Sequence, residues 1–197
     1  MTINQIIIHI IKLFLFFGLL NFGLCHAKVI FEQYPKTQEM TIRIEGDITF
    51  EDLDDFKDAL KNLEQSKTTL HMNSVVLKSH GGNTYAAADI GKLIRLRKLN
   101  TFLAPGSDCA SACVDILISG VQRYAFGDVR VHRSNFYNNP ESDDFTVVYI
   151  NDDQKFKERY VKSMGISMML ADAMLSTEAW SIRKLTELEK TVTSIWI

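Results

Sequence analysis

Hydrophobic and polar positions alternate between two periods along most of the chain, and the switch from one to the other marks out the elements. "KVIFEQ" (28–33) and "MTIRIEGDI" (40–48) carry apolar residues at every second position with β-branched content, which predicts two strands. From Thr49 the spacing lengthens. Thr49 and Asp52 resemble a helix cap, and Phe50, Leu53, Phe56, Leu60 and Leu63 recur at helical intervals. "SVVLKS" (74–79) is a short strand running into "HGGN", and "TYAAADIGKLIRLRKL" (84–99) is a helix with Ile90, Leu93 and Ile94 on its apolar face. "TFLA" (101–104) predicts a strand, Pro105–Asp108 a turn, and "SACVDILISG" (111–120) a helix ended by Gly120. "RYAF" and "RVHRS" predict strands around a turn at Gly127–Asp128, and "NFYNNPESDD" a polar loop broken at Pro140. "DQKFKERYVKSMG" and "SMMLADAML" predict helices, and the tail fits no single period. Strand–helix alternation of this kind predicts one α/β domain with largely parallel strands.

Residues 6–24, "IIIHIIKLFLFFGLLNFGL", fit neither period: they are almost wholly apolar and are followed by "CHA" and polar sequence. An apolar core ending at a small residue predicts a secretory signal peptide over residues 1–27, and hence an exported, periplasmic protein. An uncleaved membrane anchor is the alternative, since the run is long enough to span a bilayer; a lipid attachment at Cys25 fits less well because Leu24 precedes it. The remaining composition is that of a globular protein. A net charge of -2 with 23% charged residues gives no basic face for nucleic acid.

Cleavage after Ala27 would remove Cys25 and leave Cys109 and Cys113. An even pair in an oxidising compartment reads as a disulfide, and residues four apart on a helical turn lie about 6 Å apart, within bridging range. Two independent buried thiols remain the other reading. The pair brackets Ser111 in "CASAC". A serine at a helix start meets free backbone N–H groups and the positive end of the helix dipole, and its small neighbours admit a substrate. That makes Ser111 a candidate nucleophile, although a plain helix cap has the same signature. Gly81–Gly82 end a buried strand where backbone can approach a ligand, so the N–H groups of Gly82 and Ala112 are candidate oxyanion donors. Among the histidines beyond the leader, His132 sits in a strand-like segment from which an imidazole could reach Ser111 as base. His80 is an alternative loop histidine, and His71 falls in an insertion.

Taken together, strand–SxGG–helix–strand–turn–xxSAx–helix–strand–His resembles the proteolytic subunit of Clp proteases, within the Clp/crotonase-like superfamily. "LKSHGGNTYAAADIGKLIR" is similar to that family's oxyanion strand and helix, "CASACVDILISG" to its nucleophile turn, and "RVHR" to its histidine strand. The resemblance runs from Ile42 to Ala179. It implies a repeated β-β-α superhelix and a serine peptidase with no cofactor and no metal. It also implies peptide or unfolded polypeptide substrates and a homo-oligomeric ring. "ADAMLSTEAW" resembles the segment carrying the family's catalytic aspartate, which implies Asp172 as the third member of a Ser111–His132–Asp172 triad, with Asp152 and Asp153 as substitutes. The sequence departs from the family at the cysteine bracket, at His80 where a proline is usual, at the "TTLHMN" insertion and in the tail. An α/β-hydrolase would need G-x-S-x-G and the order serine, acid, histidine. A crotonase-like acyl-CoA role, or a non-catalytic binding protein on the same fold, complete the competing readings.

Overall fold

The computed structural model describes residues 27–33, 40–65, 74–134 and 143–195. Residues 1–26 of the proposed leader (1–27), His71, the "TTLHMN" insertion and residues 135–142 of the expected polar loop lie outside the described residues. Eight strands and six helices occur among those described. In chain order they are β1 (Lys28–Gln33), β2 (Met40–Glu45), α1 (Glu51–Gln65), β3 (Ser74–Lys78), α2 (Thr84–Leu96), β4 (Asn100–Leu103) and β5 (Asp108–Ala110). They continue with α3 (Ala112–Leu117), β6 (Arg123–Ala125), β7 (Asp128–Val131), α4 (Asp143–Ser163), α5 (Met168–Ser176), β8 (Arg183–Lys184) and α6 (Glu187–Val192).

The strands form two sheets. The larger has the order β1-β2-β3-β4-β6, with β1 antiparallel to β2 and every other pair parallel. The smaller has the order β5-β7-β8, with β5 parallel to β7 and β8 antiparallel. Alternation on β2 buries Met40, Ile42 and Ile44, while Val75 and Leu77 of β3 and Leu103 of β4 complete the floor of the core. Helix α1 covers it with Phe56, Ala59, Leu60 and Leu63, and α2 with Ala86, Ala87, Ala88, Ile90 and Ile94. Helix α3 is buried on all sides.

The starts of α1 and α2 are chemically marked. The Thr49 N–H and hydroxyl both donate to Asp52 Oδ2, at 2.6 and 2.9 Å, which explains a fully buried carboxylate on α1. Asn83 Oδ1 accepts from Ala86 N–H at 2.9 Å and caps α2. Two bridges lie outside the regular strands: Ile48 with Gly82 extends the β2–β3 pairing, and Ser79 with Cys109 joins the large sheet to the small one. The carboxyl end of β3 therefore leaves the large sheet and runs onto the small one. In open parallel sheets that end is where ligands bind.

Several expectations need correction. Phe50 is 58% exposed, because it precedes the first turn of α1 and does not share its buried stripe. The turn expected at Pro105–Asp108 is present at Pro105–Gly106, but Asp108 already opens a three-residue strand, β5, too short to show alternation. The helix expected over 111–120 spans only Ala112–Leu117, since Ser111 has φ 53° and Ile118 forms the cap. The histidine strand ends at Val131, one residue short of His132. The tail holds β8 and α6, the latter opened by a reciprocal Thr186–Glu189 cap.

Candidate active site

Ser111 lies between β5 and α3, and its backbone is unusual. With φ 53° and ψ -125° it occupies a region sparsely populated by residues other than glycine, a strain of about 1–3 kcal/mol. Its N–H donates to Arg130 O at 3.1 Å, continuing the β5–β7 ladder past Ala110, which pairs with Arg130. Its hydroxyl does not cap the helix. The plain helix-cap reading of this serine is therefore absent from the structure. Cys109 and Cys113, both fully buried, are joined by a disulfide across it.

Gly81, at φ +112°, packs flat against this turn. A Cβ added there would lie 2.7 Å from Ser111 Cβ, 2.9 Å from Ala110 O and 3.1 Å from Ala112 N. Glycine is required on both counts, space and conformation. The Gly81 carbonyl accepts from Ile48 N–H at 2.7 Å. In a planar trans peptide the following N–H points the opposite way, so the Gly82 N–H is directed away from Ile48. Ala112, the first residue of α3, has no intrahelical acceptor for its own N–H. The structure brings together Ser111, the Gly81–Gly82 backbone and the Ala112 amide.

His132 follows directly from β7, the strand paired with the nucleophile strand, and is half-buried. Its Nδ1 is buried without a hydrogen-bond partner. The next residue is tied down, since Arg133 N–H donates to Thr177 O at 2.9 Å at the end of α5, and Arg133 stacks over the Trp180 ring. Asp172 lies on α5 with its side chain exposed, and among the described residues no ion pair or hydrogen bond joins it to His132. Asp152 is exposed and Asp153 is buried near Asp115, on α4. His80 is exposed and lines a groove of about 440 Å³ with Ala110, Arg130, Ile182 and Lys184. Among the described residues no group of three or more His, Cys, Asp or Glu side chains is arranged to hold a metal ion.

One polar cluster escaped the sequence reading. Asp115, in the buried face of α3, pairs with Lys157 Nζ at 2.5 Å, and Tyr160 Oη donates to Asp115 O at 2.9 Å. Burial raises the Asp115 carboxyl above its ordinary value; Lys157 opposes that shift and the Asp153 charge adds to it. Burial likewise pushes the Tyr160 hydroxyl well up, with the Asp115 charge adding to the effect. The available signal was an acid inside the apolar run "ACVDILISG", because a buried carboxylate demands a partner.

The same architecture occurs in solved structures. A mutant of the 1510-N membrane-bound stomatin-specific protease matches with a TM-score of 0.57 and 18% identity, over 78% of this chain and 75% of that one. A mutant of ClpP1 from Listeria monocytogenes matches with a TM-score of 0.58 and 19% identity, over 79% of this chain and 88% of that one. The fold is that of the Clp protease/crotonase-like group. No protein-family model matches the chain, and neither does any curated protein. The first of these is named as a protease, and the mixed α/β architecture expected from the sequence is the one both share.

Proposed function

We propose that the protein is a serine hydrolase, and specifically a peptidase. The observation that carries this reading is the turn at Ser111: a strained serine with an uncommitted hydroxyl, held against a glycine backbone beside a free helix N-terminus. In the proposed reaction Ser111 Oγ attacks the scissile carbonyl while His132 takes the hydroxyl proton. The N–H groups of Gly82 and Ala112 receive the developing oxyanion. His132 then passes its proton to the departing amine, and water, deprotonated in the same way, hydrolyses the acyl-enzyme. Asp172 is the proposed acid that orients His132, through a side-chain rotation or in an assembled oligomer. The groove lined by His80, Ala110, Arg130, Ile182 and Lys184 offers a seat for the peptide beside the nucleophile.

Peptides or loosely folded chains are the proposed substrates, a homo-oligomer the proposed assembly, and export the proposed destination. Among the described residues no helix is long and apolar enough to cross a membrane. A second reading has its own observation. The unpartnered Nδ1 of His132 and the exposed Asp172 suit a binding protein that keeps the fold without its triad. A fluorophosphonate separates the two. We expect it to label the wild-type protein at Ser111, located by peptide mapping, and to leave Ser111→Ala unlabelled with an unchanged circular dichroism spectrum. A wild-type protein that stays unlabelled, or a mutant that labels equally, favours the binding protein.

A further inference from the structure

Resting on the hydrolase reading, we propose that Cys109 and Cys113 are positioning residues for Ser111, so that the nucleophile becomes competent only when the pair is oxidised. The argument begins with what holds the strained turn. Ser111 has two backbone hydrogen bonds of its own: its N–H donates to Arg130 O, and its carbonyl accepts from Val114 N–H at 2.9 Å, while its hydroxyl contributes none. The disulfide adds a covalent anchor to these hydrogen bonds. It joins the middle of β5, where Cys109 is fixed by the bridge to Ser79, to the second residue of α3. The bridge thus welds strand to helix across the serine.

A helix of six residues has little stability of its own, so its first turn depends on outside restraints. Without the weld, Ser111 is free to relax toward commoner backbone conformations. That relaxation carries its Oγ and the Ala112 N–H away from their present relation to Gly81–Gly82. The rest of the fold does not need the bridge in the same way. Stabilisation by a crosslink grows with the loop it closes, and a separation of four residues lies at the bottom of that range. The reduced chain therefore stays folded and loses its nucleophile geometry.

The redox step is an ordinary thiol–disulfide exchange. The two thiols lose two electrons and two protons as the S–S bond forms, and a disulfide oxidant such as glutathione disulfide is reduced to two thiols. Both sulfurs are fully buried, so the finished bridge is shielded from attacking thiols. It acts as a one-way activation on entering an oxidising environment, not as a fast reversible switch. A chain synthesised among reducing thiols would be folded and inactive until oxidised.

The test compares full-length protein folded in the presence of reductant with the same protein oxidised by glutathione disulfide, the two states differing by the mass of two hydrogens. Three quantities are read: the fluorophosphonate labelling rate at Ser111, the thermal melting curve, and amide hydrogen exchange in the peptide covering 108–118. We expect the reduced protein to melt cooperatively and to exchange faster in that peptide alone. It should label at least about tenfold more slowly, as release of a strain of this class permits. Oxidation should restore both rates. Equal labelling and equal exchange in the two states overturn the proposal, and so does a reduced chain that is globally unfolded. If the oxidised protein labels nowhere, the hydrolase reading fails by itself. Exchange then decides whether the bridge holds the turn: a local difference supports the positioning role, and no difference overturns it.

Discussion

The nucleophile side and the base side of the candidate site are built differently. Ser111 is fixed by neighbours close in sequence: the β5 ladder, the bridge between Cys109 and Cys113, and a helix that is buried throughout. Gly81 presses on it from the adjoining strand end. His132 is the first residue past β7; its Nδ1 meets no partner, and the acid assigned to it stands exposed on α5. Ser111, the proposed nucleophile, is held by covalent and packing restraints, whereas His132, the proposed base, would depend on a group from a distant part of the chain. In a serine hydrolase both are needed, because the imidazole must hold the right tautomer at the moment of proton transfer. In the proposed hydrolase the base side is therefore the less determined of the two.

The largest effect should come from the base. His132→Ala should lower turnover of a fluorogenic peptide by about 10⁴-fold or more, the scale on which triad members act. Asp172→Asn sharpens the comparison. If Asp172 orients His132 during turnover, kcat should fall by about 10²-fold or more while KM changes little. An Asp172→Asn enzyme with wild-type kcat would remove this aspartate from the mechanism and leave His132 working without it.

The next effect concerns the anchor behind the nucleophile helix. Lys157→Met leaves the Asp115 carboxylate buried without its cation and should cost about 3–5 kcal/mol in urea denaturation. Asp115→Leu combined with Lys157→Met should recover most of that loss, since a buried ion pair and an apolar pair of similar volume are often equivalent. The pH dependence follows from the sign of the shift. The Asp115 carboxyl is raised in the folded state, so the folded protein binds the proton more tightly than the unfolded chain. Its contribution to stability is most favourable at low pH and declines as pH rises from the ordinary carboxylate range through the raised folded value. Lys157→Met should steepen that decline, and the double substitution should abolish it. A Lys157→Met stability curve parallel to wild type would contradict the pairing.

How much of this was legible in the sequence follows the distance over which each feature is determined. The strand at 74–79, the glycine pair, Ser111 and its flanking cysteines belong to single segments whose residue types report their own backbone needs. There sequence and structure agree, except that Ser111 stands just outside the helix it was expected to open. β5 was missed because three residues carry no periodicity, and its strand character comes from pairing with β7 and with Ser79. Phe50 shares the helical spacing of the α1 residues by apolarity alone, whereas the Thr49–Asp52 cap places it before the first turn and exposed. The Asp115–Lys157 pair joins residues 42 positions apart, and no local pattern announces it. The triad acid suffers most: resemblance points to Asp172, while the backbone leaves its side chain exposed.

The smallest predicted effect tests whether the nucleophile side is as tightly determined as the packing around Gly81 indicates. A methyl group at Gly81 meets Ser111 Cβ at 2.7 Å and Ala110 O at 2.9 Å, and the second contact is backbone that cannot swing aside. The φ of +112° adds conformational strain. Gly165 provides the control, because its φ is also positive, +68°, yet nothing lies within 4 Å of an added Cβ. Both substitutions should cost about 1–2 kcal/mol of stability through the backbone alone. They should part in activity. Gly81→Ala must shift the Ser111 turn or the Gly82 amide, and a displaced nucleophile or oxyanion donor should lower fluorophosphonate labelling by about tenfold to a hundredfold. Gly165→Ala should label at the wild-type rate. If the two variants label alike, the contact between Gly81 and Ser111 is packing without consequence for the site. The preorganisation of the nucleophile would then rest on the disulfide and the β5 ladder.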